Sequence, residues 1–247
     1  MTACLRGESD SIERRGDSRN GDPLLMSAFA PGDSRDLQEA GRLRLMPGVT
    51  RVYLETGKTW TFACAVDWPG WCRRGKDAQQ ALDTLSAYAP RYAVVAGSDA
   101  ISTDFEVVGR LQGDATTDFG APSVSGEWDD AKLPAAEADR IARLLERTWT
   151  VFDSVVATAP AELRKGPRGG GRDRDAIVEH VREAERSYGR KFGVRLPPRI
   201  TWDEQRAAYL EAIRAGVPGQ SWSARYAARR LAWHVMDHVW EIEDRSS

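Results

Sequence analysis

Residues 225–245, RYAARRLAWHVMDHVWEIEDR, constrain the fold more than any other stretch of the chain. They read as one helix, with Ala227, Leu231, Val235 and Ile242 recurring at helical spacing. His234 and His238 fall within or beside that apolar stripe. A step of four residues carries a side chain little more than one turn, so both rings leave the same face and can reach one ion. The chain has only three histidines. The third, His180, lies in a second helical run, where Ile177, Val181, Ala184 and Tyr188 form a similar stripe. All three imidazoles therefore point toward the interior of whatever these helices build. Buried polar rings need partners, and a shared metal ion is the partner that would use all three.

Four amphipathic runs occupy the C-terminal half, and their connectors are of moderate length. The first, residues 135–158, carries Ile141, Leu144, Leu145, Trp149, Phe152, Val155 and Val156 on one stripe. Asp173 or Asp175 can cap the run bearing His180, and Thr201 with Glu204 makes a capping-box pair for residues 202–215. An antiparallel four-helix bundle over residues 134–247 is the expected architecture. The N-terminal half reads differently. Val52, Leu54 and residues 61–66 suggest two strands joined near Thr56-Gly57-Lys58. A short strand to Arg74 follows, then a helix capped by Asp77 and stopped by Pro90. Residues 92–96 and 105–111 would add further strand, and residues 112–133 form a polar connector. The fold class is thus α+β: a small β/α module over residues 46–125, then the bundle. Residues 1–45 lack a sustained apolar period and are expected to stay disordered. Since Met46 opens the first compact segment, they are either a start placed too early or a docking tail.

The formal net charge of -2 gives no electrostatic reason to expect nucleic acid or an acidic membrane. No apolar run reaches the roughly 20 residues of a membrane span. Cys4, Cys64 and Cys72 are too few for a disulfide framework, which points to a reducing, cytoplasmic setting. Trp60, Trp68 and Trp71 could stack bases beside Arg73, Arg74 and Lys76, but aromatic residues on a small sheet more often form its core. The expected partner is a small molecule, with homo-oligomer formation left open.

Two family resemblances sharpen these readings. The turn Asp67-Trp68-Pro69-Gly70, the step Gly75-Lys76-Asp77 and the amphipathic run 79–85 resemble the HicB-like family over about residues 50–95. That resemblance implies a module that binds RNA or a protein partner. In the C-terminal half, His180 with Glu183 and Glu185, followed by the His234-x-x-x-His238 pair, resembles the DinB/YfiT-like family over about residues 134–245. It implies a four-helix bundle holding a divalent ion, zinc or nickel, through His180, His234 and His238. It also implies thiol chemistry, because relatives include S-transferases and isomerases that use mycothiol or bacillithiol. No further catalytic residue carries over.

The chemistry of the residues agrees with this. Three protein nitrogens leave a coordination position open, as in catalytic rather than structural zinc sites. A thiol bound there would be deprotonated, and a water would be activated similarly. Asp237 and Glu241 share the helix of two ligands, where either can orient an imidazole or simply pair with an arginine. Arg172 and Arg174, after the glycines of 169–171, stand where a helix start favours an anion. A metal-dependent thiol S-transferase acting on a small electrophile is the leading expectation. A regulatory or interaction protein is the alternative, and a metal-dependent hydrolase the third.

Overall fold

A computed structural model describes residues 48–166, 170–216 and 221–246. The expectation for residues 1–45 lies outside them. Within them the protein is α+β, with a four-stranded sheet and eight helices.

Strands β1 (Thr50–Thr56), β2 (Thr61–Ala65) and β3 (Cys72–Gly75) form an antiparallel meander. Helices α1 (Ala78–Ala87) and α2 (Ala89–Ala96) then carry the chain across to β4 (Phe105–Gln112), which pairs parallel to β1 in the order β3-β2-β1-β4. Alternation divides β1 between two cores. Val52 and Leu54 face the main one with their cross-strand partners Ala65 and Ala63. Tyr53 turns the other way, toward Phe62, Cys64, Cys72 and Trp233. Cys64 and Cys72 are directly opposite one another and are joined by a disulfide. This corrects the inference from cysteine usage. A separation of eight residues says nothing about pairing until the strand register is known, and the case for a reducing compartment no longer rests on these residues. Among the described residues, no helix is long and apolar enough to cross a membrane.

The Asp67–Gly70 turn is clamped from several sides. Asp67 accepts two hydrogen bonds from Arg51, and the Arg140 guanidinium donates to the Asp67 carbonyl while lying 4.4 Å from the Trp68 ring centre. The Tyr92 hydroxyl donates to Pro69 O at 2.8 Å. Trp68 and Trp71 are buried, so the core reading of these two aromatics holds. Residues 92–96 form the last turns of α2 and not a strand. Pro90 lies at the start of that helix, where a missing N–H costs nothing, so it begins a new helix as well as ending α1.

The connector after β4 holds two short helices, α3 (Ala115–Phe119) and α4 (Glu127–Asp130). Asp114 caps α3 by accepting from the amides of Thr116 and Thr117. The buried Glu55 carboxylate accepts from the Thr117 hydroxyl and from the amides of Ser123 and Val124. The connector is therefore a strap bound to the sheet.

The four longest helices are α5 (Ala135–Thr158), α6 (Arg174–Lys191), α7 (Trp202–Ala215) and α8 (Ala224–Arg245). Helix α8 packs against α5, α6 and α7, and α7 also lies along α5. From Ala224 to Met236 every residue of α8 is buried, as expected for a helix enclosed on all sides. Two of its buried arginines are compensated within the fold. Arg229 is bound by the Asp129 carboxylate of α4 and donates to the Tyr53 hydroxyl at 2.6 Å, while Arg225 pairs with Glu137. Sheet and helices share one apolar cluster, and the described residues form a single compact unit.

Candidate metal centre

His180 lies on α6, and His234 and His238 lie on α8. The apolar stripes that bring these two helices together also bring the rings together. Ile177 and Val181 are fully buried on α6, as are Ala227, Val235 and Ile242 on α8. The three ring centres are 4.7–5.0 Å apart. One nitrogen from each ring lies within 4.8 Å of the others, and the Nε2 atoms of His180 and His234 face one another at 3.2 Å.

That last distance fits a shared ion. Two nitrogens on tetrahedral zinc at about 2.05 Å are about 3.3 Å apart. Because all three nitrogens lie within 4.8 Å of one another, the widest separation has at most roughly 1.5 Å to close. A single proton could join His180 to His234, but it would leave the third converging nitrogen without a role. The electrostatics favour an uncharged ring at His180 and at His234. Burial, then His238 and Arg172, lower the pKa of His180. Burial, then the other two histidines, Arg230 and Arg172, push that of His234 well below its ordinary value. A neutral imidazole is the form that binds metal.

Glu241 fixes the tautomer of His238. Its carboxylate lies 2.8 Å from His238 Nδ1 and 2.5 Å from Arg245. Burial works to raise its pKa, but the hydrogen bonds and charges of His238 and Arg245 prevail and hold it below the usual carboxylate value. An ionised carboxylate can only accept, so Nδ1 carries the proton and Nε2 is left as the free donor atom. Both sequence readings of Glu241 thus describe one residue, which orients an imidazole while pairing with an arginine. Asp237 does not join it. Its carboxylate goes to Arg73 at 3.0 Å, tying α8 to β3.

The other candidates separate in the same way. Arg172 is exposed, and its charge reaches both His180 and His234. Arg174 instead pairs with Asp175 and donates to Ala159 O, so it closes the start of α6. Residues 167–169 of the preceding loop lie outside the described residues. Glu185, part of the acidic pattern after His180, turns away from the metal centre. It accepts from the indoles of Trp149 and Trp202 and from Gln205 inside the helical core. Tyr188, Trp233 and Arg230 border the site, with Tyr188 5.7 Å and Trp233 6.1 Å from His234 between ring centres. Tyr188 was read from sequence only as part of an apolar stripe, and nothing in the pattern distinguished Trp233 or Arg230.

No protein-family model matches the chain, and neither do any curated protein or solved structure. The functional reading rests on the residues themselves.

Proposed function

We propose that this protein is a metal-dependent thiol S-transferase. In this reading His180, His234 and His238 hold a divalent ion, zinc or nickel, and a low-molecular-weight thiol of the mycothiol type adds to a small electrophile. The observation that carries the reading is the convergence of three imidazole nitrogens, two of them 3.2 Å apart. The DinB/YfiT-like pattern of His180, His234 and His238 supports it, as does the packing of the two helices that carry them, α6 against α8.

A divalent ion in such a site lowers the pKa of a coordinated thiol toward neutrality and so supplies a strong nucleophile. The chain's own residues set the geometry. His180 and His234 approach from different helices, so the separation of α6 and α8 determines the ligand angle. Glu241 keeps His238 in the one tautomer that can serve the site. Tyr188 and Trp233 wall it with aromatic surface, which excludes water and strengthens the electrostatic interactions within.

The test is S-conjugate formation between mycothiol, or another low-molecular-weight thiol, and a panel of small electrophiles. The rate is expected to fall on the order of 100-fold or more on chelation and in His234→Ala, and to return to the chelated wild type with zinc or nickel. Circular dichroism would verify the fold of the variant. Equal rates in all samples would refute the transferase reading. Hydrolysis of the electrophile that needs the metal but no thiol would assign the site to a hydrolase instead.

A further inference from the structure

Arg230 stands four residues before His234 and eight before His238, on the same face of α8. It is only 7% exposed, yet it lacks what its neighbours have. Arg225 and Arg229 on the same helix each end on a carboxylate. Arg230 ends on none among the described residues. Its Nε and Nη1 are buried without a partner, and Nη2 has only a long contact of 3.4 Å to the Tyr188 hydroxyl. The guanidinium carbon is 4.7 Å from the centre of the Trp233 ring and 5.5 Å from that of Tyr188. Both rings also border His234, so the aromatic walls that pack against the guanidinium are those of the metal centre.

A guanidinium shielded from water with two donor nitrogens idle is costly unless something anionic completes it. Among the described residues no carboxylate pairs with it, and those farther along α8 are committed: Glu241 to His238 and Arg245, and Asp237 to Arg73. Nor does internal repacking account for it, since aromatic faces satisfy the charge only in part and leave the N–H groups unpaired.

We propose that Arg230 is the recognition group for a carboxylate on the small molecule that occupies the open coordination position. This rests on the metal reading above and narrows it to ligands that pair a metal-binding sulfur or oxygen with an anionic group. Helix geometry sets the spacing. Side chains four apart start about 5–6 Å from one another, so the carboxylate lies a few bonds from the coordinating atom. Short mercapto acids have that reach.

The probes are 3-mercaptopropionate and propane-1-thiol, which share a three-carbon chain and a thiol but differ in the carboxylate. Both are titrated into the cobalt(II)-loaded full chain and followed by the thiolate-to-cobalt absorption band, after cobalt content has been measured. Wild type should bind 3-mercaptopropionate at least about tenfold more tightly, the scale of one charge-assisted hydrogen-bonded contact. In Arg230→Met, with cobalt loading retained, the two affinities should converge. Arg230→Lys, which keeps the charge but loses the planar fork, should restore part of the preference. Equal affinities in wild type overturn the assignment without any variant, so misfolding of Arg230→Met cannot shelter it. A preference that persists in a folded Arg230→Met also overturns it. Absence of bound cobalt from folded wild type refutes the metal reading itself, and its separate measurement distinguishes the two failures.

Discussion

Glu241 and Glu185 show how environment divides the work of two carboxylates in one helical core. Glu241 stays ionised beside His238 and Arg245, and its value to the site is orientation. Glu241→Ala should therefore weaken metal binding by about 10–100-fold without abolishing it, read by competition with a chromophoric chelator. An unchanged affinity would mean that the carboxylate serves only Arg245. Glu185 is buried, and desolvation raises its carboxyl pKa above the ordinary 4.5 despite the indole and amide donors around it. Between pH 4.5 and the raised folded value, the folded chain therefore holds a proton that the unfolded chain has released. The stability that goes with it is fully present below pH 4.5 and is lost as pH rises through the folded value. Relative to Glu185→Gln, wild type should gain unfolding free energy as pH falls from neutrality toward 4.5, and denaturant titrations across that range would measure the gain. A difference that does not change with pH would contradict it. The histidines were legible in sequence because they are rare and fall beside apolar stripes. Arg230 was not, because a missing partner becomes visible only when every surrounding element is in place.

Helix boundaries followed closely from caps and periodicity. The expected runs 135–158 and 202–215 coincide with α5 and α7, and the Thr201–Glu204 capping box forms. Sequence failed where one residue has two structural uses. Pro90 reads as a stop but also starts α2, which is why residues 92–96 looked like a strand. The Cys64–Cys72 disulfide was illegible for a similar reason, since it depends on the register of β2 against β3. Two close contacts between elements make quantitative predictions. A Cβ on Gly189 of α6 would stand 2.4 Å from the Tyr209 hydroxyl of α7. Gly189→Ala should thus cost about 1–3 kcal/mol by forcing the two helices apart, measurable by urea denaturation. Asp129→Ala would leave Arg229 buried without its carboxylate and should cost about 3–5 kcal/mol by the same assay. A loss much below 1 kcal/mol in either variant would show that the contact yields more easily than close packing implies.

At the scale of the whole molecule, sequence suggested a β/α module followed by a helical one. What it could not show is how the two halves are bound to each other. The shared cluster, the Asp67–Gly70 turn seated on Ala232 and Met236, and the Arg229–Asp129–Tyr53 network make α8 common property of sheet and helices. Residues 46–125 expressed alone should accordingly show no cooperative unfolding transition, whereas the full chain should unfold in one step by both far- and near-ultraviolet circular dichroism. Two separated transitions in the full chain would contradict that coupling. The same helix carries two of the three imidazoles, so metal binding and the joined fold depend on one element. The most direct measurement is the metal content of purified protein by plasma mass spectrometry, wild type beside the triple variant His180→Ala, His234→Ala, His238→Ala. About one divalent ion per folded wild-type chain and none in the folded variant is the expected result. Equal content in the two, or a folded wild type that takes up no ion when zinc or nickel is offered, would contradict it.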